Sequence, residues 1–460
     1  MPPPIATLVY ALAILGLFLL DRDPEAKTSK ALWLPIVWLL IGSSRNFSEW
    51  MVAGTASGAD ASADKYLSGN PIDALILTAM LAVGMVVLAA RGRRSGAFLI
   101  KNGPILLFLI YCLFSVLWSD YPSVAFKRWT KALGNVVMVF IVLTDLNPAA
   151  AAKKLLARTG FILIPVSVLV IRYFPAIGRG YDPYTGRMQV VGAVGDKNGL
   201  GYDCLVFGLG ALWCFIEAFQ LKTHRLRHLF VHGTMLATVF WLLHQANSAT
   251  SLACFLMGAM LMLGVTLFGK GRPARVHLVV AATVFTAFYT FVILDGFAFI
   301  VHALGRSTDL TGRASDLWPQ LLRLDTSPVF GVGFDSFFLG TRLDKLWEIY
   351  WWHPTEAHNG YLEIYLTLGY VGVSLLAILI LSGYRNIVAG YRNAPYQGAY
   401  RLAFLFVAMV YNVTEAAFKA MNPVWIVFLL TIAAVPASPP QEEGLEPAPE
   451  DLCEAEARVA

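Results

Sequence analysis

The chemistry-bearing residues gather in one short stretch, HPTEAHNGYLEIYLTLG, from His353 to Gly369. It sets His358, Asn359 and two glutamates, Glu356 and Glu363, against the start of a long apolar run. Asn359 followed by Gly360 reads as a helix N-cap, because an Asn side chain can accept from the free N–H groups of the first turn. His358 then lies just before a helix N-terminus, where the positive end of the helix dipole disfavours imidazolium and lowers its pKa. A neutral imidazole facing an external cavity can accept a proton, as activation of a sugar hydroxyl requires. The plainer reading is a histidine that only hydrogen-bonds at the membrane interface. Cations accompany this stretch. Arg187 and Lys197 lie in GRMQVVGAVGDKNGLG, with Asn198 beside them, and Arg306 and Arg313 lie in GRSTDLTGRASDLW. Arginine grips phosphate oxygens bidentately and lysine acts as a point charge, so two Gly-bearing cationic segments suggest a clamp for a lipid-borne phosphate or diphosphate. Against that, Arg313 could simply pair with Asp309 or Asp316.

The elements that must position these groups are membrane helices. Of 460 residues, 57% are hydrophobic and 14% charged, against about 25% charged in ordinary soluble chains. The apolar residues fall in blocks that do not alternate, so they read as helices and not β-barrel strands. Candidate spans are 5–20, 31–43, 72–90, 104–118, 132–146, 156–173, 199–220, 229–244, 251–269, 276–300, 360–381, 402–418 and 423–437. The expectation is an all-α polytopic integral membrane protein with 12 or 13 transmembrane helices in 1–437 and one long external loop, 301–359. MPPPIATLVYALAILGLFLL lacks a basic lead and a cleavage site, and reads as a retained span. The last 23 residues, 438–460, are Pro- and Glu-rich and read as a disordered cytoplasmic tail. The five cysteines offer neither a disulfide framework nor a zinc motif.

Charge asymmetry sets the orientation. Loops 91–103, 221–228, 270–275 and 382–401 carry Arg and Lys without an acid and fall on one side, which reads as cytoplasmic. Loop 119–131, with Lys127, Arg128 and Lys131, dissents. The opposite face receives 174–198, 245–250, 301–359 and 413–422. The long loop reads as short amphipathic helices capping a cavity, with a passive cover as the alternative. Asp203, Asp295, Glu363 and Glu415 sit near that same face. Ionisable groups in spans usually face a cavity or a partner. An ion-coupled transporter would more often put them at the midplane beside broken helices.

Five segments, in order between about 105 and 435, resemble the O-antigen ligase and O-antigen polymerase family. SVLWSDYPSVAFKRW (115–129) is similar to its early loop. GDKNGLG (195–201) is similar to its His-Lys-Asn-x-x-Gly stretch, as seen in the exopolysaccharide polymerase-like branch, with Asp196 where many relatives carry His. LTGRASDLWPQLLRLDTSPVFGVGFDSF (310–337) resembles its Gly-Arg-x-x-x-Trp and Pro-x-x-Gly-x-Gly segments. AHNGYLEIYLTLGYVG (357–372) resembles its His-Asn-x-Tyr-Leu motif, and YNVTEAAF (411–418) its Thr-Glu turn. The resemblance implies a type C glycosyltransferase architecture in the bacterial inner membrane. It implies transfer of glycan from undecaprenyl diphosphate at the periplasmic face, with no metal and no nucleotide sugar. Carried over, Arg313 would hold the donor diphosphate and His358 would activate the acceptor hydroxyl. Arg187, Lys197, Asn198, Arg306, Asn359, Glu363 and Glu415 would line the substrate site. The partners so implied are the lipid-linked donor, a glycan or lipid A-core acceptor, the bilayer, and other polysaccharide assembly proteins. Nucleic acid is not among them. The DKNGLG likeness favours an exopolysaccharide polymerase. An O-antigen ligase acting on lipid A-core in lipopolysaccharide assembly, or on a protein, is the first alternative. A small-anion permease of bicarbonate-transporter type is the second.

Overall fold

A computed structural model describes residues 1–23, 26–53, 67, 69–181, 186–269, 271–288 and 313–435. Arg306, Asp295, Asp309 and the tail 438–460 lie outside the described residues. Local sequence writes the helix starts. Asn-Pro pairs open three of them: α3 (Pro71–Ala90), α7 (Pro148–Tyr173) and α16 (Pro423–Ile432). In each, the Asn side chain accepts from a first-turn N–H and proline fills a position whose own N–H would be unpaired. The preceding elements are α1 (Pro3–Leu20) and α2 (Trp33–Gly42). Between α3 and α7 come α4 (Arg93–Lys101), α5 (Gly103–Phe114) and α6 (Pro122–Leu143). Then follow α8 (Lys197–Ala218), α9 (Arg225–Ala246), α10 (Ala249–Gly264) and α11 (Pro273–Phe288). After the lid helices α12 (Trp318–Arg323) and α13 (Gly340–Ile349) come α14 (Gly360–Gly390) and α15 (Pro395–Thr414).

The protein is a multi-pass, all-α membrane protein. Among the described residues seven helices are long and apolar enough to cross a bilayer, and the pair α4–α5, bent by 82°, makes an eighth if it is one span. Each expected span overlaps a helix, but the expected 12 or 13 includes elements outside that test. Shorter apolar helices occupy 30–42, 273–286 and 423–432, while α6 and α15 carry charges facing protein partners. Arg401 in α15 is buried and donates through Nε to the Thr431 carbonyl at 2.7 Å and through Nη2 to Ala433 at 2.5 Å. It thereby satisfies carbonyls left free at the end of α16. The sequence reading did not anticipate strands. A small antiparallel hairpin, β1 (Arg179–Tyr181) and β2 (Met188–Val190), joins α7 to α8 with Gly180 opposite Gln189.

Hydrogen bonds sort the helix ends into two layers. The starts of α8, α10 and α14 meet the end of α15 through Asn198–Glu415, Thr250–Thr414 and Gly360 N–H to the Glu415 carbonyl. At the other end, Arg91 bonds Asp145, Lys153 pairs with Glu217, and Tyr391 donates to Val265. The four acid-free basic loops all attach to this second layer.

The lid is anchored to a broken helix. Gly369 in α14 takes φ 65° and ψ −165°, which frees backbone groups in mid-helix. Pro328–Gly333 of the lid fills the gap. Tyr370 and Val371 donate to the Pro328 and Val329 carbonyls, and Val332 and Gly333 donate to Leu366 and Thr367. Backbone touches backbone here: a Cβ on Gly331 would come within 2.3 Å of Leu368 N and the Thr367 carbonyl. Irregular backbone inside a membrane protein is tolerated only where protein or a cavity satisfies it. Leu317, Leu321, Phe337, Leu343, Leu346 and Leu366 form a second small core beneath the lid. Arg128, which dissented in the charge reading, pairs with Asp335 of the lid at 3.4 Å, and Arg342 bonds Asp120 at 2.6 Å. The dissenting cation serves lid docking.

Candidate functional site

The site forms where the chain leaves α15 and where it enters α14. Asn359 caps α14 as its position suggested: its Oδ1 accepts from Leu362 N at 2.9 Å, and its Nδ2 donates to the Val413 carbonyl at 3.0 Å. One side chain thus fixes both strands of the site. Gly360 allows the approach, since a Cβ there would stand 2.0 Å from Asn412 Oδ1. Asn412 is buried in α15 and accepts from the N–H groups of Ala417 and Phe418. It turns the chain so that Glu415 and Lys419 face His358.

His358 sits in a left-handed backbone conformation, φ 50°, which a non-glycine residue rarely adopts outside over-determined local structure. Its Nδ1 lies 2.8 Å from Glu356 Oε1 and 3.7 Å from Glu415 Oε2. The shorter contact is an ion pair by distance, without the N–H alignment of a hydrogen bond. Burial alone would push the imidazole down, but the two carboxylates outweigh it and raise it to about 9. The sequence expectation of a lowered pKa is therefore reversed. The helix dipole contributes a fraction of a charge, whereas two whole carboxylates stand within 4 Å. Burial would raise the Glu356 carboxyl, yet Lys419 and His358 hold it well below the usual carboxylate range. Lys419 ion-pairs with Glu356, and although burial disfavours its charge, the Glu356 and Glu363 carboxylates raise its pKa.

Arg313, at the point where the lid enters the described structure, donates from Nη1 to the Thr414 carbonyl at 3.0 Å and lies 3.8 Å from Glu415 Oε1. Among the described residues these partners come from the end of α15 and the residue after it. Glu415 thus stands between Arg313 and His358. Asn198, the second residue of α8, reaches Glu415 Oε2 from the third side at 3.5 Å. Asp196 caps α8 by accepting from Gly199 N at 2.7 Å. Glu363 accepts from Ala357 N at 2.6 Å and so holds the turn before His358, while Trp318 of the lid donates to the Ala357 carbonyl at 2.8 Å. Lys197 opens α8. Arg187 is exposed, one residue before β2. Asp203 is buried inside the bundle beside Ser43.

The structure therefore brings Arg313, His358, Asn359, Glu363, Glu415 and Asn198 together. It adds Lys419 and Asn412, which sequence reasoning passed over, and Glu356, which it noted without assigning a role. Glu356 precedes His358 by two and Lys419 follows Glu415 by four, so both were in view, but nothing in the spacing says that they face each other. Glu356, His358 and Glu415 offer ligand atoms within 4.8 Å of one another. With Lys419 on Glu356 and Arg313 beside Glu415, two fixed cations crowd that triad, which suits an anionic ligand better than a metal ion.

The fold and the site define a multi-pass membrane protein with a charged, lid-covered site at one end of its helix bundle. Over 289 residues the chain is 28% identical to the exopolysaccharide production protein ExoQ of Rhizobium meliloti (strain 1021). The match takes in 61% of this chain and 64% of that protein, less than two thirds of the relative's length. This similarity bears out the resemblance, drawn from the motifs, to the exopolysaccharide branch of the O-antigen ligase and polymerase family. No protein-family model matches the chain.

Proposed function

We propose that the chain is a glycosyltransferase of polysaccharide biosynthesis that joins glycan units carried on undecaprenyl diphosphate, at the face of the inner membrane that holds His358. The reading rests on one observation above all: Arg313, His358 and Lys419 converge on Glu356 and Glu415 under a lid. Its support is the name of the relative, an exopolysaccharide production protein, together with the chemistry of that cluster. Polyprenyl diphosphate is an activated leaving group, so the protein has mainly to neutralise developing charge and to orient the acceptor. The Arg313 guanidinium and the His358 imidazolium face the departing diphosphate. The acceptor oxygen bonds to the anomeric carbon as the carbon–oxygen bond to diphosphate breaks. The hydroxyl proton goes to Glu415, because a charged His358 cannot accept it. In-line attack inverts configuration with no covalent intermediate. The basic, acid-free end of the bundle faces the cytoplasm in this reading, and with it the chain's end beyond α16.

Transfer from purified lipid-linked donor, compared between wild type and Glu415→Gln, tests the assignment. A general base contributes about a hundredfold to ten-thousandfold, so turnover should fall at least a hundredfold while donor binding persists. Turnover within a factor of a few of wild type refutes the role. Polymer formed with glycan acceptor and not with lipid A-core separates polymerase from ligase. The break at Gly369 is the feature an anion permease would need, but lid backbone fills it. Uptake of labelled bicarbonate by reconstituted vesicles, with no glycan transfer, would overturn the enzyme reading.

A further inference from the structure

A second cluster of metal-ligating side chains lies in the other layer of the bundle. Asp21 caps the end of α1, and His228 and His232 are four residues apart on α9, hence on one helix face. Asp21 Oδ1 stands 3.3 Å from His228 Nδ1 and 3.0 Å from His232 Nε2. The three ligand atoms all lie within 4.8 Å of one another. Both rings address the same oxygen, and they lie nearly parallel, 9° apart. Phe161 packs on His232, whose side chain is 3% exposed. Zinc binds imidazole nitrogen and carboxylate oxygen at about 2.0–2.2 Å, so ligand atoms around a tetrahedral ion stand about 3.3–3.5 Å apart. The Asp21 gaps are already within a few tenths of an ångström of that spacing. A cavity of about 380 Å³, lined by Asp21, Asp23, Arg22, Lys154 and Arg158, opens beside the carboxylate and leaves room for a water as fourth ligand. Four cations line the cavity, Arg22, Lys27, Lys154 and Arg158, and the last two are engaged elsewhere. Arg158 lies over the Trp33 ring at 5.1 Å, and Lys154 donates to Ala26 and Thr28.

We infer that Asp21, His228 and His232 form a binding site for a divalent transition metal of the zinc class, which ties α1 to α9 in the layer away from the glycan site. Two imidazoles and one carboxylate exclude magnesium and calcium, which prefer all-oxygen shells. The inference stands independently of the glycosyltransferase reading.

The experiment uses the full-length protein in detergent, purified through a tag without histidines and stripped with EDTA. Cobalt(II) is titrated as a spectroscopic stand-in, then displaced by zinc. One cobalt per chain is expected, with visible d–d bands of a low-coordinate site, and zinc should raise the melting temperature. Asp21→Asn, nearly isosteric, removes a direct ligand and should weaken binding by more than the about tenfold to a hundredfold that loss of an outer-shell partner costs, and His228→Gln with His232→Gln should abolish the bands. His358→Gln should leave the bands unchanged. Absence of stoichiometric cobalt binding in wild type overturns the proposal and leaves Asp21 as a plain hydrogen-bonded tie. So does binding that survives the double substitution, and so does loss of the bands in His358→Gln, which would move the ion to the other triad.

Discussion

Replacing His358 by glutamine separates a charged histidine from a neutral one. The wild-type imidazole is raised from 6.5 to about 9, which corresponds to about 3 kcal/mol of preference for the charged form. Because the folded-state pKa lies above the ordinary value, that stabilisation is complete below pH 6.5 and fades as pH climbs to about 9. Glutamine keeps a neutral donor and removes the titration. Two consequences follow. Thermal stability of the wild type should decline between pH 6.5 and 9 relative to His358→Gln, whose profile should be flatter over that window. Transfer from lipid-linked donor at pH 7 should drop about a hundredfold to a thousandfold, the usual cost of losing one charge-stabilising donor in a closed site. The wild-type rate should also lose activity on the alkaline side as His358 deprotonates, and the variant should lack that limb. A wild-type profile that instead falls on the acid side near pH 6.5, with the fall absent in His358→Gln, would show a neutral histidine acting as base and would refute the charged-site argument.

Arg313→Lys should cost most of the activity although charge is kept, because an ammonium cannot reproduce a bidentate guanidinium grip; near-normal polymer yield would reduce Arg313 to a tie to Thr414. Gly331→Ala should loosen the lid, since φ 74° and a backbone contact at 2.3 Å leave no space for a Cβ. A cost of about 1–3 kcal/mol is expected from the conformation alone, read as faster proteolysis within 313–357, and unchanged protease resistance would sink the anchoring argument. Cysteines introduced in 313–357 should be labelled in intact cells by an impermeant reagent, and those in 222–228 or 385–401 should not; the reverse pattern would invert the orientation.

Much of the architecture is a one-dimensional matter. Apolar blocks set where helices run, because a bilayer offers backbone groups no other partner. Asn-Pro pairs and Asn359 mark helix starts, because capping is local to one turn. The acid-free basic loops sort to one layer, because α3, α8, α10 and α14, which lead into them, all run toward that layer. The motif order from 115 to 418 pointed to Arg313, His358 and Glu415, which the structure sets side by side. Tertiary structure alone decided the rest. Arg128 broke the charge pattern until Asp335, more than two hundred residues on, was seen beside it. Gly369 reads as an ordinary residue of an apolar run, and only the lid backbone in contact with it explains why the helix breaks there. The pKa of His358 is the sharpest case. The dipole argument needed only the helix that follows it, whereas the true balance depends on Glu356 and Glu415, and Glu415 reaches it by folding from another helix end. Charge interactions fall off with distance and not with sequence separation, so the sign of that shift could be settled only in three dimensions.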